Sequence, residues 1–149
     1  MRLAALDVGD VRIGVAVCDP LEIAAFPVGT ITRAGSLKRD TATIAALLAE
    51  QEADAVVVGL PLSLDGGVGA QAQKTQGFAR ALAKLVPIPV VFWDESLSSV
   101  EANDMMITLG MSREKRRAQI DSRAAAVILE SYLEHRRVSN APRDALAPS

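Results

Sequence analysis

Three acidic residues stand at the ends of predicted strands or helices and could share one site. Asp7 ends the first apolar strand, Glu95 directly follows a later strand, and Asp121 falls in the first turn of the last helix, on its inward face. The ligands of open α/β sheets collect outside the carboxyl ends of the strands. An acid on an inward helical face is costly to bury unless it is paired or bound to a metal. The three carboxylates therefore predict a site for hard divalent cations such as Mg²⁺ or Mn²⁺, which prefer oxygen ligands.

The chemistry open to such a site is the hydrolysis of phosphodiester bonds. Two divalent ions about 3.5–4 Å apart can activate a water molecule and stabilise the leaving oxygen. Because the metal ions meet the charge that builds on the phosphate, this chemistry needs no histidine base, and the chain has a single histidine. Asp7 also has a second interpretation, as a turn residue that bonds its own backbone. The two interpretations differ in whether further acids reach the same place.

Length and composition restrict the class of protein. A chain of 149 residues is long enough for one domain with a full core, which we expect over residues 1–138, followed by a disordered tail over 139–149. Hydrophobic residues make up 50% and aromatic residues 3%, which indicates an aliphatic core and argues against aromatic platforms for stacked bases. A net charge of −2 confines any anion binding to a local patch.

The remaining composition points to the cytoplasm. Cys18 is the only cysteine, which excludes an internal disulfide and a cysteine-based zinc cluster, and we expect it in the core. No apolar run approaches the ~20 residues that span a bilayer, and the chain runs straight into a strand without a signal peptide. We therefore expect a cytoplasmic protein without membrane contact. His135 is expected to be a solvated residue near the end of the last helix.

Alternating and continuous apolar runs predict five strands. They are expected at residues 3–6, 11–18, 24–32, 55–59 and 90–93. Gly9 and Gly14 bracket a sharp reversal after the first strand, where a glycine permits close approach of another backbone or a ligand. Pro27 indicates that the third strand lies at a sheet edge. The fourth and fifth runs are continuous, as in buried parallel strands.

Helical periodicity and capping signals predict four helices, at residues 36–52, 69–86, 98–110 and 119–136. Ser36 and Ser98 are predicted N-caps, and Glu101 completes a capping box with Ser98. The first two helices are expected to bury one face each, formed by Leu37, Thr41, Ile44 and Leu48, and by Phe78, Leu82 and Leu85. The last helix is expected to bury mainly Ile120, Ala124, Val127, Ile128 and Leu133.

The order of these elements predicts the fold. Three strands joined by short connections form an antiparallel meander, and the βα units that follow add parallel strands. We therefore expect an α/β fold with a five-stranded mixed sheet, whose first three strands are antiparallel, and with helices on both faces.

Several polar residues near the acids have two interpretations each. Segment 112–123 carries five cations against two acids, which is either a solvated face or, given its place before Asp121, a phosphate clamp. Arg12 either contacts an anion or neutralises nearby acids. Ser98 is foremost a helix cap and secondarily a site residue. Neighbouring strand residues point to opposite faces, so only one of Asp94 and Glu95 can face the site; Glu95 is the expected ligand and Asp94 the alternative. The cations of the segment are Arg113, Lys115, Arg116, Arg117 and Arg123.

Four motifs, in this order, resemble those of the YqgF/RuvX family. They are Asp7-Val8-Gly9 with Arg12-Ile13-Gly14-Val15-Ala16, then Val58-Gly59-Leu60-Pro61-Leu62, then 94–99, and finally Ile120-Asp121-Ser122 with 124–129. The resemblance covers nearly the whole chain to about Leu133. Family members usually carry a basic residue near position 11 and an arginine after the Asp-Glu pair, where this chain has Val11 and Ser96.

The resemblance implies an RNase H-like fold in which Asp7, Glu95 and Asp121 are catalytic acids that bind Mg²⁺ or Mn²⁺. Members of the family are described as Holliday junction resolvases and as nucleases that process pre-16S ribosomal RNA. We therefore expect a metal-dependent nuclease that cleaves RNA, including the 5′ end of pre-16S rRNA, or branched DNA. It would act as a monomer or a homodimer, and resolution of a junction would require the dimer.

Two other functions are compatible with the same sequence. The pattern Asp-x-Gly-x-x-x-x-Gly between two strands also resembles the phosphate loop of actin-like ATPases and sugar kinases, although these need two such domains around a cleft. The chain could also be a non-catalytic RNA-binding factor of ribosome assembly. A Rossmann or P-loop site is excluded because Gly14 leads into a strand and no Gly-Lys-Ser/Thr follows.

Overall fold

The computed structural model describes residues 1–61, 68–94 and 122–137. The predicted helix at 98–110, the cationic segment before Asp121 and the predicted tail lie outside these ranges. The described elements are, in chain order, β1 (Leu3–Val8), β2 (Arg12–Cys18), β3 (Ala25–Thr32), α1 (Leu37–Glu50), β4 (Ala55–Leu60), α2 (Ala70–Ala83), β5 (Val90–Asp94) and a helix at 122–137, here α3.

The strands form one mixed sheet in the order β3-β2-β1-β4-β5. β1, β2 and β3 are antiparallel neighbours, and β4 and β5 run parallel to β1. The predicted topology is therefore confirmed, with β3 at an edge as Pro27 indicates. Among the described strands β5 forms the other edge, so the prediction of a buried fifth strand is wrong. Within the described residues it pairs with β4 alone, and its Phe92 side chain is 41% exposed.

Helices cover both faces of the sheet, as predicted. α1 and α2 pack over one face, and α3 packs over the other. Strand side chains alternate between the two layers, which follows from the period of two along a strand. The first layer contains Leu6, Ile13, Val15, Ile44, Leu48, Val58, Phe78 and Leu82, and the second contains Leu3, Ala5, Cys18, Val57, Ala125, Ile128, Leu129 and Leu133.

The helical faces agree with the periodicity except near helix ends and at Val127 of α3, which is half-buried. Ile120, also predicted to be buried, lies outside the described residues. Ser36 caps α1 by accepting a hydrogen bond from the Arg39 amide at 3.3 Å. Leu37 was expected in the core but is 47% exposed, because it lies in the first turn at the rim of a cleft rather than over the sheet. Leu85 is 52% exposed because α2 ends at Ala83, before the predicted end.

The core position predicted for Cys18 is confirmed, since its thiol is buried beneath α3. Its Sγ accepts a hydrogen bond from the Leu3 amide at 3.2 Å. Burial raises the pKa of this thiol above its ordinary value. Within the ranges given above, no helix has both the length and the apolar character needed to cross a membrane.

A buried ion pair ties the start of α1 to the end of β3. The Asp40 carboxylate accepts hydrogen bonds from the Arg33 Nε at 3.0 Å and from the Ala34 amide at 2.8 Å. The Asp40 side chain is only 4% exposed. The Ala34 amide and then the Arg33 guanidinium hold the pKa of Asp40 below its ordinary value, against the opposing effect of burial.

Two leucines of α1 provide a matched test of the core. Leu48→Ala removes a side chain that is 2% exposed and should lower the free energy of unfolding by about 2–5 kcal/mol. Leu37→Ala makes the same chemical change at a 47% exposed position and should cost less than about 1 kcal/mol. Urea unfolding followed by circular dichroism measures both. Equal losses would contradict the assignment of the core face.

The lowered pKa of Asp40 predicts a pH-dependent contribution to stability. A carboxylate with a depressed folded pKa stabilises the fold above its unfolded value of about 3.9 and loses this contribution as the pH falls through the folded value. Asp40→Asn should lower the free energy of unfolding by about 1.5–3 kcal/mol at pH 7. The difference from the wild type should shrink below about pH 4.

Urea unfolding at several pH values tests this expectation. Glu50→Gln is the control, since Glu50 is an exposed carboxylate at the other end of α1. A loss of stability by Asp40→Asn that stays constant down to about pH 2 would show that the ionised carboxylate is not the stabilising species.

Candidate active site

The carboxyl ends of β1, β4 and β5 lie at the same end of the sheet, because the three strands are parallel. Below, this carboxyl end of the strands is called the carboxyl edge of the sheet. Asp7 lies at this edge as the penultimate residue of β1, and its side chain is half-buried. It pairs with Gly14 of β2, so it belongs to the strand and not to the turn that follows. Glu95 and Asp121, the two other predicted ligands, lie just outside the described ranges.

Side-chain alternation places Asp7 on the face that α3 covers. Leu3 and Ala5, two and four residues before it, pack in the α3 layer. Trp93 of β5 also packs in this layer, and its indole Nε1 donates a hydrogen bond to Ser131 Oγ of α3 at 3.0 Å. Asp94, the next residue along β5, therefore lies on the opposite face of the strand from Trp93. The alternation thus separates Asp94 from Asp7.

Two glycines flank Asp7 on its own face of the sheet. Gly14 is its partner in β2, and the pairing of Leu6 with Val58 puts Gly59 beside it in β4. Neither neighbour has a Cβ atom, so no side chain from these two positions crowds the carboxylate. Close approach was predicted at Gly14 and not at Gly59, which was noted only as part of a family motif. The available signal was a glycine that ends an apolar strand parallel to the one carrying the acid.

The turn after Asp7 also depends on a glycine. The Gly9 amide donates a hydrogen bond to the Arg12 carbonyl at 2.9 Å. A Cβ atom on Gly9 would lie 2.8 Å from that carbonyl oxygen, which is closer than real contacts allow. The reversal between β1 and β2 therefore requires a residue without a side chain, and it fixes the backbone immediately beyond Asp7.

Two side chains from the far face of the sheet bind the same backbone. Arg33 Nη1 donates a hydrogen bond to the Gly9 carbonyl at 3.0 Å, and Gln71 Nε2 of α2 donates one to the Val8 carbonyl at 3.3 Å. The Arg33 guanidinium also lies 5.3 Å from the centroid of the Phe78 ring. Neither Arg33 nor Gln71 could be singled out from the sequence, because neither belongs to a periodic or motif pattern.

An open cleft of about 360 Å³ lies beside this backbone on the face of α1 and α2. Arg33 and Phe78 form part of its wall, and Lys74 and Asp10 form an exposed ion pair of 3.5 Å at its rim. The exposed pair contributes little to stability, since water screens both charges.

Two of the predicted cations lie within the described residues. Arg12 is half-buried at the start of β2 and shares the strand face of Gly14, hence of Asp7. Arg123 is half-buried in the first described turn of α3. Ser98, Arg113, Lys115, Arg116 and Arg117 fall outside the described residues. His135 is exposed in the last turn of α3, as predicted, with its ring 4.9 Å from the Trp93 ring.

The described residues alone do not complete a metal site. Among residues 1–61, 68–94 and 122–137, no group of three His, Cys, Asp or Glu side chains is placed to hold an ion. Asp7 fits the role of one ligand, because its hard carboxylate oxygens stand on a rigid strand between two glycines. Two of the three acids of the predicted set are beyond these ranges.

The arrangement can be compared with known proteins. Residues 1–135 match the family model of RuvX, described as Holliday junction resolvase. A protein of Syntrophus aciditrophicus named "Putative pre-16S rRNA nuclease" is 41% identical over 145 residues, which cover 97% of this chain and 96% of that protein. A protein of the same name from a Roseiflexus species is 45% identical over 139 residues, covering 91% and 96% of the two chains.

A solved structure shares the fold at much lower identity. RuvC of T. thermophilus, solved in complex with a Holliday junction substrate, superposes with a TM-score of 0.58 and 19% sequence identity over 91% of this chain and 96% of that chain. This likeness confirms the predicted RNase H-like fold. The match of residues 1–135 and the relatives above 40% identity show that the chain belongs to the RuvX family.

Proposed function

We propose that this member of the RuvX family, a nuclease, hydrolyses phosphodiester bonds of structured nucleic acid with divalent metal ions held by Asp7, Glu95 and Asp121. The observation that carries the proposal is the position of Asp7. It is a half-buried carboxylate at the shared carboxyl edge of three parallel strands, on the face covered by α3. Ligands of α/β sheets bind at such edges.

The strand alternation in β5 favours Glu95 as the second ligand. Trp93 packs toward α3 on the face of Asp7, and a strand returns to the same face every second residue. A continued strand would therefore direct residue 95, and not Asp94, toward the carboxylate of Asp7. This supports the choice made from the sequence between the two neighbouring acids.

The course of α3 favours Asp121 as the third ligand. The last turn of α3 is tied to the turn between β2 and β3 by Arg136, whose Nε donates to Glu22 Oε1 at 2.8 Å. That turn lies at the amino end of β1, far from the Asp7 edge, because β2 ends opposite the start of β1. At about 1.5 Å per residue, residues 122–137 rise about 22 Å away from this anchor. Asp121 immediately precedes the end of the helix that is remote from the anchor.

In this proposal the residues around Asp7 have separate roles. Bound Mg²⁺ or Mn²⁺ would supply an activated water and compensate the charge that develops on the phosphate. Asp7 contributes a ligand whose direction is fixed by the central strand. Gly14 and Gly59 leave room for the scissile phosphate beside it. Arg12, on the same face, would contact the phosphate, and Arg123 with Ser98 and the cations of 113–117 would hold the flanking backbone.

Folded ribosomal RNA precursor is the substrate that the relatives favour. The relatives named for pre-16S rRNA are 41% and 45% identical to this chain over nearly its whole length, whereas RuvC shares the fold at 19% identity. A single active site suffices for such cleavage, so a monomer can act on RNA. Resolution of a DNA junction would need two symmetric sites and hence a homodimer. Either substrate is consistent with the cytoplasmic location that we propose.

Asp7→Asn is the primary test of this function. Purified wild type should cleave a folded pre-16S rRNA fragment or branched DNA when Mg²⁺ or Mn²⁺ is added. Asp7→Asn should reduce the rate by more than about 100-fold, because even the loss of an outer-shell partner of a metal ligand costs about 10–100-fold. Asp10→Asn is the matched control, since Asp10 is an exposed carboxylate three residues away in the adjoining turn.

The same assay separates the competing functions. Binding of ATP without cleavage would support the nucleotide-binding interpretation. Binding of RNA that is unchanged by Asp7→Asn, without cleavage, would support a non-catalytic assembly factor. Preferential cleavage of the branched DNA together with a dimer in sedimentation analysis would replace RNA by a junction as the substrate.

A second pair of substitutions tests the alternation in β5. Glu95→Gln should abolish metal-dependent cleavage as severely as Asp7→Asn, because it removes a ligand from the same site. Asp94→Asn should retain activity within about threefold, because its side chain lies on the other face of the strand. Initial rates at saturating Mn²⁺ provide the comparison, and the opposite ranking of these variants would assign the ligand to Asp94.

A further inference from the structure

We propose that Arg33 and Gln71 are positioning residues, which hold the backbone that follows Asp7 and thereby fix its carboxylate for metal binding. The inference rests on the proposed function. It extends the active site to the opposite face of the sheet, where neither residue touches a metal ion or the substrate.

The two side chains bind consecutive carbonyl groups directly beyond Asp7. Gln71 Nε2 donates to the Val8 carbonyl at 3.3 Å, and Arg33 Nη1 donates to the Gly9 carbonyl at 3.0 Å. Both donors come from the side of the sheet where α1 and α2 pack, while Asp7 faces α3. The strand end is therefore fixed from behind, and the front remains open for ligands.

The Arg33 guanidinium is itself held rigidly. Its Nε donates to the buried Asp40 carboxylate at 3.0 Å, and its plane lies near the Phe78 ring, with 5.3 Å between Cζ and the ring centroid. The Arg33 side chain is only 19% exposed. Because Asp40 and Phe78 hold the guanidinium in place, its hydrogen bond restricts the movement of the Gly9 carbonyl.

The backbone of Arg33, the residue that follows β3, also binds this turn. Its amide donates to the Val11 carbonyl at 2.8 Å. One residue thus contacts the turn through its side chain at Gly9 and through its backbone at Val11. Together with the Gly9–Arg12 hydrogen bond of 2.9 Å, these contacts leave the segment 8–12 little room to shift.

A metal ligand needs this precision, because catalytic groups must stay within about 0.5 Å of their productive position. The anchored carbonyls belong to the first and second residues after Asp7, so movement of the turn would move its carboxylate. Lysine cannot replace Arg33, since one ammonium group lacks the planar fork that reaches Asp40 and Gly9 in two directions. Arg33→Lys keeps the positive charge, yet we expect this variant to weaken metal binding.

Two matched pairs of variants test the proposal in the full-length protein. Arg33→Lys is compared with Arg39→Lys, which makes the same change at an exposed position of α1. Gln71→Met is compared with Gln73→Met, which makes the same change two residues along α2 at an exposed position. Gln71 lies at the start of α2 and outside the buried set of that helix, so its variant should keep the fold.

Four measurements are made on each variant, the last being the cleavage rate at increasing Mn²⁺ concentration. Hydrogen exchange followed by NMR reports the amides of residues 8–12, calorimetric titration reports the dissociation constant for Mn²⁺, and urea unfolding reports stability. We expect Arg33→Lys and Gln71→Met to speed exchange in residues 8–12 and to weaken Mn²⁺ binding by about 10–100-fold. The Arg39 and Gln73 variants should match the wild type. Raising the Mn²⁺ concentration should restore much of the cleavage rate, because weakened metal binding is overcome by mass action.

The outcomes distinguish this proposal from the proposed function. If Arg33→Lys and Gln71→Met both keep the hydrogen-exchange rates and the Mn²⁺ affinity of the wild type, the positioning role is overturned. The assignment as a nuclease would stay intact. A wild type that binds no Mn²⁺ and cleaves nothing would overturn the proposed function, and the metal role of the anchors with it. Weaker Mn²⁺ binding that tracks lost stability, with unchanged exchange in residues 8–12, would also overturn the inference, because it would show a merely structural effect.

Discussion

The double pairing of β1 is the constraint on which the site depends. β1 is antiparallel to β2 on one side and parallel to β4 on the other, and helices cover both of its faces. A charged side chain in the middle of such a strand would lose its hydration without compensation. The strand is accordingly apolar from Leu3 to Leu6, and its one acid, Asp7, appears only where the strand leaves the core.

This position gives Asp7 two properties that a surface loop would not provide. Its backbone is part of a hydrogen-bonded ladder and is fixed further by the Gly9 turn. Its side chain is nevertheless half-exposed at a sheet edge, where a ligand can reach it. The two faces of the sheet divide the tasks, because the α3 face holds the carboxylate and the α1 and α2 face holds the anchors Arg33 and Gln71. The backbone near Asp7 is thus held from one face of the sheet, and its carboxylate is open to a ligand on the other.

Much of the fold was predictable because its signals are local. The alternation after Arg12 marks β2, Ser36 marks the start of α1, and Pro27 marks an edge strand, and each of these depends on residues close in sequence. The failures share one cause, since the burial of Leu37, Leu85 and β5 depends on where elements end and what lies beyond them. Of the candidate site, the sequence predicted that Asp7 lies at the end of the first strand, which is where the structure places it. It did not reveal Arg33, whose partners Gly9 and Asp40 are brought together only by the tertiary fold.

The structure also explains how the chain can lack a basic residue at position 11. Val11 is 61% exposed at the tip of the turn, so a cation there would stand in solvent rather than beside Asp7. Arg12, the next residue, begins the strand on the face that Asp7 shares and is half-buried, where its charge is screened less by water. A cation on the ligand face acts on a bound phosphate more strongly than one at the exposed tip. Under the proposed function, valine at position 11 would therefore weaken the steering of a polyanion more than the contact at the scissile phosphate.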